Sequence, residues 1–275
     1  MSLTQDYQLQ LNGLTMGSGT SYLIAAADGL RGVAPTRVSD TQIIGRSGVV
    51  AGIDLLDART VELEVLVMGT SASDLEAKLT ALVTAAKPGV THSLTYRAGG
   101  NVTRYTSVRV RQISAPFEVA DQAGRMARVS LQLLAPDPRW FDAQQSLTTQ
   151  VTASLGGRTY PRTYPLIYTA GAPLTVVNSG NSDADWTATL AGPLFSPAVL
   201  LVETGQMLEY TGTISAGSSV VLSPQTRTVT LNGVSAFQNL GVTSEWFQLS
   251  AGTSTIRLLG TGTGTLTISW RSAWL

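Results

Sequence analysis

The sequence has no cysteine among its 275 residues and only one histidine. The first absence excludes a disulfide framework, thiolate catalysis and metal sites with cysteine ligands. A Ser-His-Asp triad would have to use His92, and the G-x-S-x-G turn that carries the serine of many hydrolases is missing. We therefore expect His92 to lie at a surface or interface, and the chain not to be an enzyme.

Charge is also scarce, at 13% of residues, and it is balanced between 18 basic and 18 acidic side chains. This balance gives no excess of positive charge that would favour sequence-specific binding of nucleic acid or binding to an anionic membrane. The start, MSLTQDYQLQL, lacks the basic region of a signal peptide, and no apolar run approaches the ~20 residues that span a bilayer. Because charge is depleted at the cores of protein interfaces, this composition indicates surfaces that are buried in an assembly.

Helical periodicity is found in one segment only. Ser73 and Glu76 have the spacing of a capping box, and Pro88-Gly89 would end a helix that begins there. Apolar residues follow at intervals that place them on one face. The spacing predicts a helix over residues 73–87, with a buried face formed by Leu75, Leu79, Leu82 and Val83.

The rest of the first half has the period of β-strands. In residues 60–68 Val61, Leu63 and Val65 alternate with Glu62 and Glu64, which predicts a strand with one buried face. A hairpin is expected over residues 92–113, and a further strand over 125–134. Two prolines at 136 and 138, followed by Trp-Phe, close a first domain at residue 141.

The second half predicts a different domain. Residues 142–160, rich in Gln, Ser, Thr and Gly, are expected to form a linker. Residues 161–275 show short strand patterns separated by turn residues at the spacing of an all-β sandwich or jelly roll, with a turn at Asn232-Gly233. The predicted strands are 174–178, 185–191, 198–203, 207–211, 219–222, 228–231, 246–249, 255–259 and 266–270.

Two groups of oxygen ligands deserve comparison with catalytic or metal sites. Glu62 and Glu64 share the polar face of a strand, where solvated carboxylates are the ordinary case. The oxygen-rich segment 178–185 lacks the register of a calcium-binding EF-hand loop, and its side chains are expected to hold a turn. We therefore predict no catalytic residue, no metal site and no cofactor.

Aromatic residues of the second half leave a binding hypothesis open. They could form a platform that stacks on sugars, or they could fill the core of the sandwich, as large aromatic side chains usually do. Trp186 and Trp246 are the candidate sugar-binding residues. The aromatics concerned are Trp186, Tyr210, Trp246, Phe247, Trp270 and Trp274.

Several segments together resemble the distal tail protein family of siphophages, abbreviated Dit. The most specific is the run Leu-Leu-Ala-Pro-Asp-Pro-Arg-Trp-Phe at 133–141, which is similar to the end of that family's N-terminal domain. The other matching segments are Tyr-Gln-Leu-Gln-Leu-Asn-Gly-Leu at 7–14, Tyr-Leu-Ile at 22–24, Gly-Leu at 29–30, Arg-Thr-Val-Glu-Leu-Glu-Val at 59–65, Ser-Leu-Thr-Tyr at 93–96 and Ser-Trp-Arg-Ser-Ala-Trp at 269–274.

The resemblance implies an N-terminal belt domain, α+β with one helix, that forms a hexameric ring around a channel wide enough for DNA. It implies a galectin-like C-terminal β-sandwich, a tail tube protein on one side of the ring and the tail hub on the other. The chain would then be a structural protein of the virion tail tip or baseplate, assembled in the host cytoplasm, with no membrane insertion. The C-terminal half lacks the long insertion that carries an extra carbohydrate-binding module in some relatives.

Two other functions remain as alternatives. The C-terminal domain could be a carbohydrate-binding module for the host cell wall, or the chain could be a tail tube protein, which also builds hexameric rings. The two-domain length and the closure at 136–140 favour the distal tail protein.

One predicted loop is a candidate subunit interface. Residues 114–124 separate two amphipathic strands and contain Pro116, Phe117 and Glu118. Because an aromatic side chain at a loop tip is suited to anchor a neighbouring subunit, we expect Phe117 to be exposed in its own chain and buried by another.

Overall fold

The computed structural model describes residues 3–117, 125–151 and 172–275. The chain divides into an N-terminal unit, Met1–Asp142 with Leu275, and a C-terminal unit, Ala143–Trp274. The described residues are mostly β-structure and contain one α-helix, which confirms the predicted fold class. Glu118 and residues 152–160 of the predicted linker 142–160 lie outside the described residues.

The described residues of the N-terminal unit form twelve strands, the α-helix and a short 3-10 helix at Gly99–Asn101. In chain order its elements are β1 (Leu9–Leu11), β2 (Leu14–Met16), β3 (Tyr22–Asp28), β4 (Thr36–Arg37), β5 (Thr41–Gln42), β6 (Val49–Val50), β7 (Leu55–Leu56), β8 (Arg59–Met68), α1 (Ala72–Ala85), β9 (Thr91–Arg97), β10 (Thr103–Ser114), β11 (Met126–Ala135) and β12 (Trp140–Phe141).

One antiparallel sheet organises this unit, with the strand order β2-β1-β9-β10-β11-β8-β3, and β12 pairs with β10. Strand β8 alternates as its sequence predicts: Val61, Leu63, Val65 and Val67 are buried. Its partner β11 places Leu131 opposite Leu63, so the two strands contribute to the same apolar layer. The helix packs against β8 and covers part of this layer.

The helix begins and packs differently from the prediction. Ser71, not Ser73, is its N-cap: the Ser71 hydroxyl accepts a hydrogen bond from the main-chain N–H of Asp74. Ser71-x-x-Asp74 is itself a capping sequence, and it starts the helix two residues earlier. The buried positions are Leu75, Leu82, Ala85 and Ala86, whereas Leu79 is half-buried and Val83 is exposed. The predicted burial of Val83 was wrong, because the small side chains that follow it turn towards the sheet instead.

The C-terminal unit consists of strands and one 3-10 helix at Phe237–Asn239 among its described residues. The strands are β13 (Gln145–Gln150), β14 (Leu174–Asn178), β15 (Trp186–Ala191), β16 (Leu194–Leu201), β17 (Met207–Glu209), β18 (Thr213–Ile214), β19 (Ser219–Ser223), β20 (Thr228–Leu231), β21 (Val234–Ser235), β22 (Gly252–Gly262), β23 (Thr265–Trp270) and β24 (Ala273–Trp274).

Strands β13 to β23 form two sheets, β13-β23-β15-β19-β20-β21 and β14-β22-β16-β17 with β18 beside β16. Alternate residues of both are buried, such as Leu190 and Ile268 in the first sheet and Val176 and Ile256 in the second. This alternation gives each sheet one apolar face, as in the predicted all-β sandwich. Asn232 and Gly233 have φ angles of 49° and 83°, as the predicted turn between β20 and β21 requires.

Two segments of the C-terminal unit differ from expectation. Residues 145–150, placed in the linker by their polar composition, form β13 and pair in register with β23. The segment 246–249 does not form a strand, and only Leu249 makes an isolated bridge, with Ala184. The polar composition of residues 145–150 led to the wrong prediction of a linker. An edge strand can be polar when its main-chain hydrogen bonds go to a neighbouring strand.

Candidate assembly surfaces

His92 has a structural position inside the N-terminal unit. It is buried in β9, and its Nε2 lies 2.7 Å from the carbonyl oxygen of Lys87, just after the helix. The expectation of a surface or interface position was therefore wrong. A hydrogen bond to the main chain satisfies the imidazole and ties the helix exit to the sheet.

The oxygen-bearing side chains that could suggest catalysis or a metal are engaged elsewhere. Glu62 accepts a hydrogen bond from the Gln132 side chain across β8 and β11. Asn178 is buried, with its amide nitrogen donating to the carbonyls of Ser182 and Leu249 and its oxygen accepting from Gly180 N–H. Across residues 3–117, 125–151 and 172–275, no three potential ligands cluster for a metal ion, and no helix is long and apolar enough to cross a membrane.

The two candidate sugar-binding tryptophans do not share an exposed platform. Trp186 is 2% exposed; its ring centroid lies 4.7 Å from that of Phe247, and its indole N–H donates to the Phe247 carbonyl. Trp246 is half-buried in an irregular segment. The proposal of Trp186 as a sugar-stacking residue was wrong, because a ring enclosed by its own sandwich has no face to offer.

The N-terminal unit carries an extended hairpin, residues 36–56, which we call the arm. Its two strands pair through β4 with β7 and, further out, through β5 with β6. Between these ladders the Ser39 hydroxyl donates to the Ile53 carbonyl, and Gly52 N–H donates to the Asp40 carboxylate. These bonds make one continuous two-stranded ribbon from residue 36 to residue 56.

The side chains of the arm are unusual for a soluble surface. All residues from 36 to 56 are exposed except the half-buried Ile43 and Leu56. The exposed apolar members are Val38, Ile44, Val49, Val50, Ile53 and Leu55. A two-stranded hairpin is at best marginally stable alone in water, and a concentration of exposed apolar side chains on one element indicates an interaction site.

The base of the arm, by contrast, is held tightly. The buried guanidinium of Arg59 donates to three main-chain carbonyls, from Nε to Pro138 (2.8 Å) and from Nη1 to Gly29 and Gly32 (3.0 Å each). Gly29 has a φ of 75°, and a Cβ there would lie 2.0 Å from the Thr60 carbonyl oxygen. The chain therefore leaves the sheet at a defined point, so the arm projects from a rigid base.

Phe117 is a second exposed apolar group of the same unit. It lies three residues after the end of β10 and is 76% exposed, and Pro116 beside it is exposed as well. The expectation that Phe117 is exposed in its own chain agrees with this position. Its burial by a neighbouring subunit remains a prediction.

A polar groove of about 430 Å³ runs across the open face of the N-terminal sheet. Asp28, Glu62 and Gln132 lie on three adjacent strands in direct cross-strand register, and Glu64 lies in the next row. The groove therefore presents three carboxylates beside the neutral side chains of Gln112 and Gln132. This face suits contact with water rather than with an anionic ligand.

Sequence reasoning missed the arm. Its apolar residues have no helical period and only a short strand pattern at Val49 and Val50, so no element was predicted there. The sequence does contain a turn signal that could have indicated a hairpin. Gly45 and Gly48 flank Arg46-Ser47, and both glycines adopt positive φ.

Comparison with known proteins agrees with this architecture. Residues 179–274 match the family described as "Siphovirus-type tail component, C-terminal domain". The crystal structure of SPP1 Dit (gp 19.1), described as a paradigm of the hub adsorption apparatus in phages that infect Gram-positive bacteria, superposes with a TM-score of 0.71 at 16% identity, covering 98% of this chain and 100% of that one. No curated protein sequence matches the chain significantly.

Two structures of a phage p2 baseplate in its activated conformation give further matches. The one with Ca superposes with a TM-score of 0.55 at 12% identity, covering 97% of this chain and 98% of that one. The one with Sr gives 0.53 at 12% identity, with 96% and 97% covered. At such identities these structures establish the fold, and together with the family match they confirm the resemblance to Dit proteins.

Proposed function

We propose that this Dit-like chain, whose C-terminal unit carries the siphovirus-type tail component domain, is a structural protein of a phage tail tip. It would assemble in the host cytoplasm into a hexameric ring that joins the tail tube to the tail hub and lets DNA pass. The observation that carries the proposal is the combination of the family match over 179–274 with a Dit fold over nearly the whole chain.

The arm supports assembly into a closed ring. A projecting apolar element that meets a different surface of the next copy makes a head-to-tail contact, and such contacts close into rings when the rotation between copies allows it. Phe117, on the same unit, is a second exposed apolar side chain whose burial against another chain would stabilise the contact. Low overall charge reduces the desolvation cost of burying these surfaces.

Passage of DNA is supported by the carboxylates of the open sheet face. If Asp28, Glu62 and Glu64 line the channel, they repel the phosphate backbone, so DNA slides without binding. The balanced charge of the chain agrees with a channel that does not retain its cargo.

The test is the oligomeric state of the purified full-length chain, by size exclusion with light scattering and by negative-stain imaging, alone and mixed with the cognate tail tube and hub proteins. Six-fold rings are expected in at least one of these samples. A monomer under all conditions would contradict the proposal. Open stacks of rings from the pure chain would identify a tail tube protein instead.

A further inference from the structure

The dipeptide Asn-Gly occurs twice in the sequence, and both copies form the two-residue turn of a β-hairpin. Asn12-Gly13 joins β1 to β2, and Asn232-Gly233 joins β20 to β21. All four residues adopt positive φ, at 47° and 87° in the first turn and at 49° and 83° in the second. A type I′ turn requires positive φ at both positions, and asparagine followed by glycine adopts it most readily.

The two turns are matched in their chain neighbours and in their main-chain contacts. Leucine precedes each asparagine, and a branched aliphatic residue follows each glycine. The main-chain N–H of Asn12 donates to the Ser93 carbonyl at 3.0 Å, and that of Asn232 donates to the Ser219 carbonyl at 2.9 Å. Both asparagines are exposed. Turn type, main-chain anchorage and access to water are therefore alike at the two sites.

The asparagine side chains are held differently. Oδ1 of Asn232 accepts from the main-chain N–H of Ser219 at 2.9 Å, and its Nδ2 donates to the Ser218 hydroxyl at 3.2 Å. The side chain of Asn12 makes no hydrogen bond with any described residue. One amide is thus tethered at both of its polar atoms, and the other can rotate.

An asparagine side chain that precedes glycine can react with its own main chain. The main-chain nitrogen of the glycine attacks Cγ of the asparagine, and a new N–Cγ bond forms. The Cγ–Nδ2 bond breaks, and the amide group leaves as ammonia together with the proton of the glycine nitrogen. Water then opens the cyclic imide to aspartate or isoaspartate. Glycine favours the attack because it has no Cβ to shield its nitrogen.

We propose that Asn12 is a site of spontaneous deamidation, and that the hydrogen bonds to Ser218 and Ser219 protect Asn232 from the same reaction. The amide must rotate until Cγ faces the glycine nitrogen, and Asn232 has to break both bonds to do so. The Ser219 N–H also polarises the amide of Asn232, which favours attack. The same bond holds that amide against β19, however, and rotation has to come first. The inference concerns turns within one chain and does not rest on the proposed ring.

Deamidation changes the hairpin in which it occurs. Aspartate adds a negative charge to a chain whose formal net charge is zero. Isoaspartate carries the main chain through the former side chain, which lengthens the turn by one carbon. The pairing of Leu11 with Leu14, which closes the first hairpin, depends on the register that a two-residue turn sets. Isoaspartate at position 12 therefore disturbs the edge of the N-terminal sheet.

The test is incubation of the folded full-length chain at mildly alkaline pH, followed by peptide mapping that separates the asparagine, aspartate and isoaspartate forms. We expect Asn12 to convert roughly tenfold faster than Asn232, because two hydrogen bonds must break at the tethered site. Ser218→Ala should accelerate the conversion of Asn232 about threefold, since it removes one of these bonds. Gly13→Ala should slow the conversion of Asn12 by shielding the attacking nitrogen, and its Cβ would meet no atom within 4 Å.

The matched control is the same chain in guanidinium chloride, where the tethers are lost and both sites should convert at equal rates. The slowing by Gly13→Ala should appear in denaturant as well, so this comparison does not depend on the folding of that variant. Equal rates in the folded chain, or faster conversion of Asn232, would overturn the proposal. A difference that persists in denaturant would do the same, because it would arise from sequence alone. So would a Ser218→Ala chain in which Asn232 reacts as slowly as in the wild type.

Discussion

Phe117 is a large apolar side chain that its own chain leaves 76% exposed. We predict that Phe117→Ala weakens ring assembly, because the ring would lose an aromatic anchor buried between subunits. The monomer's free energy of unfolding should change by less than about 1 kcal/mol, as is usual at surface positions. Light scattering over a concentration series measures the first effect, and urea denaturation of the monomer measures the second.

Phe237→Ala is the matched control, since Phe237 is an exposed phenylalanine of the C-terminal unit. It should leave assembly unchanged. A ring structure in which Phe117 contacts only its own chain would contradict the prediction, as would normal assembly of the Phe117 variant.

Asp74, in the first turn of the helix, couples stability to pH. Its carboxylate accepts from Lys78 Nζ (2.8 Å) and from the main-chain N–H and hydroxyl of Thr70, and these bonds, the one from Lys78 above all, lower its pKa from 3.8 to about 2. A depressed pKa stabilises the folded state above the unfolded value, and this stabilisation is lost as the pH falls through the folded value.

We therefore expect Asp74→Asn to reduce the melting temperature at neutral pH and to bring it closer to the wild-type value as the pH falls from about 5 to about 2. Calorimetry across that range measures the difference between the two proteins. Asp54→Asn, on the exposed arm, is the control and should track the wild type. A difference between Asp74→Asn and wild type that is constant with pH would contradict the assignment.

At the scale of the elements, the helix shows how a small rotation changes which residues matter. Leu82 is buried against the sheet and Val83, next to it, is exposed. We predict that Leu82→Asp costs about 3–5 kcal/mol and abolishes soluble expression, because it places an unpaired charge in the core. Leu79→Asp, at a half-buried position, should cause a smaller loss.

The control in this series is Val83→Asp, which should change the free energy of unfolding by no more than about 0.5 kcal/mol. Soluble yield measures expression of each variant, and urea denaturation measures its free energy of unfolding. Equal damage from Leu82→Asp and Val83→Asp would mean that the helix packs as its sequence pattern suggested.

At the scale of the whole molecule, the arm concentrates apolar surface that no described residue of the chain covers. The double variant Ile44→Asp/Ile53→Asp should prevent ring formation, because it introduces charge into the proposed contact between copies. Folding of the monomer should be unaffected, since both side chains are exposed. Negative-stain imaging measures ring formation, and a melting curve measures the folding of the monomer.

Val242→Asp, at a fully exposed position of the C-terminal unit, makes the same chemical change elsewhere and should leave rings intact. Rings that persist in the arm variant would exclude the arm as a contact between copies. Loss of rings with the control would show sensitivity to added charge at any surface position.

Local periodicity was sufficient to predict those elements whose conformation depends on residues adjacent in the chain. The alternation around Val61 and Leu63 predicted β8, and Asn232-Gly233 predicted its turn, because side-chain direction and turn geometry depend on a few adjacent residues. The helix was predicted as an element, but its N-cap was misplaced by two residues, since Ser71 and Ser73 have equivalent chemistry and only the geometry of the entering chain selects one.

The amino-acid sequence by itself determined the mainly β fold with one helix, the absence of cysteine chemistry and the resemblance to Dit proteins. Only the tertiary structure decided which side chains are enclosed: Trp186 lies in the core, and the arm is left uncovered. These outcomes arise from strand pairing between residues far apart in sequence. Burial depends on what the rest of the chain places above a residue, so residue type and spacing alone do not specify it.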